Sequence, residues 1–226
     1  MTMKNNTIKR LTAVTIIIGI VNLIIAALFV LRLPDTVPTH FDASFVCNGT
    51  GSRWLGIFLP IVVLAIFPLG LLITSKSKNI EKNIKPLTII LLFIEVMLIA
   101  VSWFILIVMD SGAQPGDKIP ANFDVLLPFI IGLMFVVMGN YLPTVRQNKN
   151  LGIKLPWTLK NERCWDVTHR FAGKVWVAAG LLTLAGTAVL WLTGTDSDTA
   201  SIILIIVPTT FAIVIPTVYA YLHRND

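Results

Sequence analysis

Few side chains in this sequence are placed to perform chemistry together. The three histidines are His40, His169 and His223, and the two cysteines are Cys47 and Cys164. Their spacing matches no common metal-binding or disulfide pattern. The sequence contains no Gly-x-Ser-x-Gly, His-Glu-x-x-His, Gly-x-Gly-x-x-Gly or Walker lysine motif. We therefore predict that the chain is not an enzyme, holds no metal ion and uses no cofactor.

One segment near the N-terminus combines a histidine with two carboxylates. Residues 33–42 read LPDTVPTHFD, and the two prolines and the aspartates favour an extended, turn-rich conformation. His40 could titrate near neutral pH or bind a metal ion with Asp35 or Asp42 as co-ligands. Alternatively, His40 is a structural residue that ties this loop to the end of a helix. We favour this interpretation, because one histidine and two scattered carboxylates are a weak metal-binding pattern.

Glu95 is the one clearly ionisable side chain inside the long apolar segments. A charge buried in hydrocarbon is costly, so this carboxyl is expected to face other helices and to stay protonated. Asn22 lies at a similar depth in another segment, offset by about one helical turn. The pair could form part of a proton or substrate relay, or a hydrogen bond between helices that fixes their packing. A single carboxyl with no second titratable group favours the packing interpretation.

The elements that carry these residues are apolar segments. The chain is 55% hydrophobic and 13% charged, whereas soluble domains are about 25% charged. This composition excludes a single soluble globule and a disordered chain. A helix needs about 20 apolar residues to cross a bilayer, and six runs are long enough: Leu11–Leu31, Trp54–Ile73, Leu87–Met109, Val125–Leu142, Val175–Thr193 and Ser201–Leu222. We predict an all-α, multi-pass protein of the cell membrane with six transmembrane helices.

The basic residues predict the orientation of these helices. Of the 18 lysines and arginines, only Arg32, Arg53 and Lys118 fall on the connections of one side. The others are Lys4, Lys9, Arg10, Lys76, Lys78, Lys82, Lys85, Arg146, Lys149, Lys154, Lys160, Arg163, Arg170, Lys174 and Arg224. Cytoplasmic loops carry the excess of positive charge, so both termini are predicted to be cytoplasmic. The basic residues are spread over separate short loops, which favours contact with membrane lipid over direct binding of nucleic acid.

Prolines recur in the helices that return to the cytoplasmic side. Pro60, Pro128 and Pro208 lie in the outer halves of these helices, and Pro68 and Pro216 follow the first and third by eight residues. This pattern could reflect an internal repeat of the transporter type. Alternatively, proline is simply tolerated because neighbouring helices satisfy the freed carbonyl.

The longest predicted cytoplasmic connection, residues 143–174, contains more than a connector needs. We predict a helix from Leu159 to Gly173 with Thr158 as its N-cap. Trp157, Trp165 and Trp176 suit the headgroup region of a membrane, which predicts an interfacial helix leading into the fifth span. The same segment could instead be a docking surface for a cytoplasmic partner.

Three motifs stand out in these loops: GNYLP at 139–143, NKNLGIKLPWTL at 148–159 and WDVTHRFAG at 165–173. Together they resemble the signature of the Sdp immunity protein family. The outer segment ending at Phe41 resembles the Pro-x-His-Phe motif of an N-terminal domain of unknown function found in the same proteins. The chain departs from these patterns at Lys154, where arginine is usual, and at residues 44–48. We divide the chain into residues 1–86, with the outer loop, and residues 87–226, with the signature loop 143–174.

The resemblance implies a bacterial membrane protein that gives immunity to a secreted toxic peptide. It also implies possible signalling, in which a soluble repressor is tethered at the membrane. The implied partner- or lipid-binding residues of the cytoplasmic loop are Asn140, Asn150, Gly152, Lys154, Pro156, Trp157, Thr158, Trp165, Thr168 and Arg170. Those of the outer loop are Pro38, His40 and Phe41. The alternative function is a small transporter or channel that uses Glu95 and proline-broken helices.

Overall fold

The computed structural model of the protein describes residues 2–42, 44–74, 80–118, 123–194 and 198–225. The basic residues Lys76 and Lys78, counted above, lie outside these ranges. The helices in chain order are α1 (Thr2–Val30), α2 (Phe58–Thr74), α3 (Ile80–Asp110), α4 (Phe123–Tyr141), α5 (Pro156–Lys160), α6 (Glu162–Thr193) and α7 (Asp198–Leu222).

All the helices except α5 are long and apolar enough to cross a membrane. Their side chains include many large apolar groups that remain exposed, such as Leu72 and Leu192, as expected for surfaces that face lipid tails. The predicted six-helix membrane fold is confirmed. The cytoplasmic location of both termini stays a prediction.

A short β-hairpin follows α1, where the sequence predicted an extended, turn-rich loop. Strand β1 (Thr36–Phe41) pairs antiparallel with β2 (Cys47–Ser52). Asp42 closes the turn, because its Oδ1 accepts hydrogen bonds from the backbone N–H groups of Ser44 (2.8 Å) and Val46 (3.0 Å). The pairing itself was not predicted, since β2 reads CNGTGS and has no apolar alternation that would signal a strand.

The chain divides into two compact units. Unit 1 comprises Met1–Ile73 and Leu91–Ala121, and unit 2 comprises Thr74–Ile90 and Asn122–Asp226. The core of unit 1 joins the hairpin to the helix ends, through the buried residues Ala26, Val30, Leu33, Val37, Leu106 and Met109. The division at residue 86, which rests on sequence signatures and not on contacts, stays a prediction.

Unit 2 is held together by a glycine seam between α4 and α6. A Cβ added at Gly139 would lie 2.8 Å from the backbone nitrogen of Val177, and one at Gly180 would lie 2.6 Å from the carbonyl oxygen of Gly132. Gly173 likewise lies against Gly139. Only glycine permits backbones to approach this closely in a membrane. The sequence analysis missed this seam, although the glycines are spaced by seven residues in both helices.

One proline of α7 is matched by a donor on α6. A proline in a helix frees the carbonyl four residues before it, which for Pro216 is Ala212 and for Pro208 is Leu204. Trp176 Nε1 donates to the Ala212 oxygen at 2.8 Å. The Thr183 hydroxyl lies 3.4 Å from the Leu204 oxygen, but its one hydrogen has a closer acceptor in the Ala179 oxygen at 2.9 Å. The Trp176 bond favours the interpretation that Pro216 is tolerated because a neighbouring helix satisfies the freed group.

The cytoplasmic helix predicted from Leu159 to Gly173 is wrong in its boundaries. The short α5 ends at Lys160, and α6 begins at Glu162 and continues to Thr193. Asn161 caps α6 in place of Thr158, since its side-chain oxygen accepts from the N–H groups of Arg163 and Cys164. Asparagine is a strong N-cap, and the extended backbone of Asn161 separates the two helices.

Candidate functional site: the folded loop between α4 and α6

The loop that joins α4 to α6 is folded around two aromatic side chains of the first turns of α6. The rings of Trp165 and His169 stack with centroids 4.0 Å apart, and both residues are buried. Trp165 Nε1 donates to the carbonyl oxygen of Val145 at 2.8 Å. The indole is therefore used inside the loop, and Trp165 does not anchor it by direct contact with lipid headgroups.

The contacts of His169 determine which of its ring nitrogens carries the proton. Nδ1 lies 2.8 Å from the carbonyl oxygen of Trp165, which can only accept a hydrogen bond, so Nδ1 is the donor. Nε2 accepts from the backbone N–H of Ile153 at 2.9 Å. Both bonds together require the neutral imidazole with its hydrogen on Nδ1. The sequence alone predicted no role for His169.

Gly152 allows the loop to pass directly over this pair of rings. Its φ of +112° is a conformation that other residues rarely adopt. A Cβ at this position would lie 2.4 Å from His169 Nε2 and 2.9 Å from Trp165 Cζ2. The glycine of the signature motif is therefore required by backbone conformation and by space.

Thr158 is a second buried centre of the loop. Its hydroxyl accepts from the N–H of Leu155 at 2.9 Å and lies 2.8 Å from the Ile153 oxygen, to which it can donate. Gln147 Nε2 donates to the carbonyl oxygens of Thr158 and Leu159 at 2.8 and 3.1 Å. These bonds hold the segment before α5 against α5 itself.

Asparagines attach the loop to itself and to α3. Asn148 Oδ1 accepts from the N–H groups of Asn150 and Leu151 at 2.8 and 2.7 Å. Asn83 of α3 donates from Nδ2 to the Arg146 carbonyl oxygen at 3.0 Å, and its Oδ1 accepts from the Arg146 backbone N–H at 2.6 Å. Asn83, Gln147 and Asn148 were not predicted as site residues. The polar run 147–150 could have indicated Gln147 and Asn148, because buried side-chain amides commonly form hydrogen bonds with the backbone groups of a loop.

The predicted site residues of the loop therefore separate into two groups. Gly152, Thr158, Trp165 and Thr168 belong to its packed interior. The exposed group is Asn140, Asn150, Lys154, Pro156 and Arg170. Trp157 is half-buried, and its ring packs edge-to-face on Tyr221 of α7 with centroids 5.5 Å apart.

The exposed surface of this loop and of the start of α6 is strongly basic. Asp166 lies 3.4 Å from Arg146 and partly neutralises it, and Glu162 is exposed. The exposed basic residues between 142 and 174 are Arg146, Lys149, Lys154, Lys160, Arg163, Arg170 and Lys174. Such a surface attracts anionic partners in a manner that salt weakens.

The outer loop residues do not converge on one site. His40 Nδ1 is hydrogen bonded to Asn48 Oδ1 of the facing strand, Asp35 pairs with Arg53 at 3.2 Å, and Asp42 closes the turn. His40 thus ties the two strands together, whereas a structural histidine was expected to bind a helix end. Of the other two predicted residues, Pro38 is buried and Phe41 is half-buried.

Glu95 and Asn22 do not pair with each other. Asn22 Oδ1 accepts a hydrogen bond from Trp103 Nε1 at 2.9 Å, which joins α1 to α3. Both carboxyl oxygens of Glu95 are buried and have no hydrogen-bond partner among the described residues. The interhelical bond expected at this depth is therefore made by Trp103, which the sequence analysis did not consider.

Comparison with known proteins finds a family model that is similar to part of this chain. Residues 144–220 match the model of the SdpI/YfhL protein family, and so the match begins at the folded loop. The predicted resemblance to this family is confirmed. Residues 17–65 match a Domain of unknown function (DUF1648). This range of the chain contains the β-hairpin.

A curated relative extends the SdpI/YfhL match to most of the chain. The sequence is 28% identical over 170 residues to the "Immunity protein SdpI" of Bacillus subtilis (strain 168), which covers 75% of this chain and 77% of the relative. No solved structure matches the chain.

Proposed function

We propose that this protein protects a bacterial cell against a secreted toxic peptide, and that it signals by binding a soluble repressor protein at the membrane. The similarity to an immunity protein over three quarters of the chain carries the first part of the proposal. The peptide is proposed to act from the outside, where the β-hairpin is predicted to lie.

The architecture of the loop between α4 and α6 supports the signalling part. A connection between two neighbouring helices needs only about 2 to 8 residues, and this loop holds a packed interior of its own. Long ordered loops are usually functional. The buried motif residues hold its shape, which leaves Lys154 and Arg170 exposed on a basic surface that suits an acidic protein partner.

The test compares exposed and buried residues of the loop with a matched control. Arg170→Gln and Lys154→Gln should leave the membrane level of the protein unchanged and reduce induction of a repressor-controlled reporter by toxin. Trp165→Ala should lower the membrane level, because it removes a large buried side chain at a cost of about 3–5 kcal/mol. Lys9→Gln removes an exposed charge on α1 and should have no effect.

Cell survival under toxin challenge tests protection separately from signalling. Cells that lack the gene should be sensitive, and cells with the wild-type protein should survive. If the gene makes no difference to survival, the immunity proposal is wrong. If Arg170→Gln, Lys154→Gln and Trp157→Ala all keep wild-type reporter induction, the loop does not bind the repressor.

The alternative function, a small transporter or channel, rests on the unpartnered carboxyl of Glu95. A solute-uptake assay on the same strains separates the two functions. The transporter would be favoured by two results together. Solute uptake would depend on the gene and be abolished by Glu95→Gln, and the gene would have no effect on survival under toxin.

A further inference from the structure

The short helix α5 packs beside the last turn of α7, a helix long and apolar enough to cross a membrane. The exposed face of α7 carries Val214, Val218, Tyr221 and Leu222, which are 48%, 51%, 49% and 67% exposed. Apolar side chains of a transmembrane helix that face outward are covered by lipid tails. The apolar span ends at Leu222, and from its length of 24 residues we expect the hydrocarbon boundary near its last turn.

α5 is held at the level of that last turn. Trp157 packs edge-to-face on Tyr221, and the Cys164 thiol of α6 lies 3.5 Å from the Ala220 carbonyl oxygen. The exposed residues of α5 are Pro156, Leu159 and Lys160. Two exposed apolar groups and one exposed cation thus lie on the short helix that packs beside the end of α7.

A second cation contacts the same tyrosine on which Trp157 of α5 packs. The guanidinium of Arg224 lies 4.0 Å from the centroid of the Tyr221 ring, and its Nη1 donates to the Tyr221 carbonyl oxygen at 2.8 Å. A guanidinium has five N–H donors, so donors remain for a further acceptor. Arg163 is also exposed at the start of α6, while the neighbouring exposed acid is Glu162.

We infer that the edge formed by α5 and the last turn of α7 is a binding site for the headgroup of an anionic phospholipid. Lys160 and Arg224 bind the phosphate, and Pro156, Leu159 and Leu222 contact the upper part of the acyl chains. The position at the boundary favours lipid over a soluble acidic protein, because apolar groups flank the two cations on the membrane side. The inference does not depend on the proposed immunity function or on the sidedness of the termini.

The experiment measures lipid selectivity of the full chain. The protein is equilibrated in mixed micelles with equal amounts of phosphatidylglycerol and phosphatidylcholine, and native mass spectrometry gives the ratio of the two bound lipids. The wild type should prefer phosphatidylglycerol. The double variant Lys160→Gln/Arg224→Gln should lose about fivefold in this preference for each charge removed, given about 1 kcal/mol per basic residue near an anionic surface.

A matched double variant controls for net charge. Lys149→Gln/Lys154→Gln removes two exposed lysines of the same loop that precede α5, and it should keep most of the preference. An equal loss in both double variants would mean that only the overall charge matters and would overturn the inference. So would a wild type without preference, or a Lys160→Gln/Arg224→Gln variant that keeps the wild-type ratio.

Discussion

Most signature residues of the loop between α4 and α6 serve its folding. Gly152 gives space to His169, Thr158 bonds the backbone before α5, and Trp165 reaches the Val145 carbonyl. A motif that looks like a binding sequence can therefore be the sequence of a stable loop. The exposed residues between these positions are then the ones that remain available to a partner.

Gly152→Ala is expected to open the loop. The substitution adds a strained backbone, at a cost of at least about 1 kcal/mol, and a contact with His169 that forces the rings apart. Limited trypsin digestion of the protein in membranes should cut faster in the loop, where Lys149 and Lys154 are exposed. Gly194→Ala is the control, because Gly194 also has a positive φ of +61° and has nothing within 4 Å; an equal effect on loop cleavage would contradict the steric argument.

Glu95→Gln is expected to preserve membrane level and protection, whereas Glu95→Lys lowers the membrane level. Gln keeps a neutral polar group in the interior of unit 1, but lysine introduces a charge that is costly to bury in a membrane helix. Quantitative blotting of membranes and a toxin survival assay measure both outcomes. Loss of protection by Glu95→Gln at a normal membrane level would instead support proton coupling.

At the scale of helices, α6 organises unit 2. Its 32 residues span about 48 Å, longer than the hydrocarbon of a bilayer, about 30 Å. α6 is therefore longer than one crossing needs, and its first turns form the base of the loop. Further along, the helix provides one face for the glycine seam with α4 and a donor for the carbonyl that Pro216 frees in α7.

Trp176→Phe is expected to destabilise unit 2 by about 1 kcal/mol, since it leaves the Ala212 carbonyl without a donor. In a Pro216→Ala background the cost should be smaller, because alanine restores the backbone N–H that the helix lacks at this position. Unfolding of the purified protein in mixed micelles gives the free energies for this double-mutant cycle. Equal costs in the two backgrounds would show that the indole N–H does not satisfy this carbonyl.

At the scale of the whole molecule, the predicted orientation of the helices across the membrane can be tested by thiol labelling, and the structure determines which thiols are suitable. Cys47 and Cys164 are only 1% and 0% exposed, so an impermeant thiol reagent should label neither efficiently. Ser44→Cys at the hairpin tip and Lys160→Cys on α5 place thiols at exposed positions. Whole cells should label Ser44→Cys and spare Lys160→Cys until they are permeabilised. Labelling of Lys160→Cys alone in intact cells would reverse the orientation.

Site prediction from sequence was limited by what residue type can indicate. Lys154 and Arg170 were predicted and are exposed, because charged side chains rarely lie elsewhere. Trp165 was expected to contact lipid headgroups and is instead buried inside the loop, since an indole suits a headgroup region and a packed interior equally well by composition. Asn83 was missed, because its partner Arg146 is 63 residues away and no local pattern reports such a bond.

The sequence by itself determined the membrane class, the six spans and the family resemblance. Span length and hydropathy are local quantities set by the thickness of the bilayer, so they can be read without a fold. Only the tertiary structure decided the hairpin, the glycine seam and the network around His169. These depend on which backbones approach each other, and a chain that is apolar all round gives no periodicity from which to infer its neighbours.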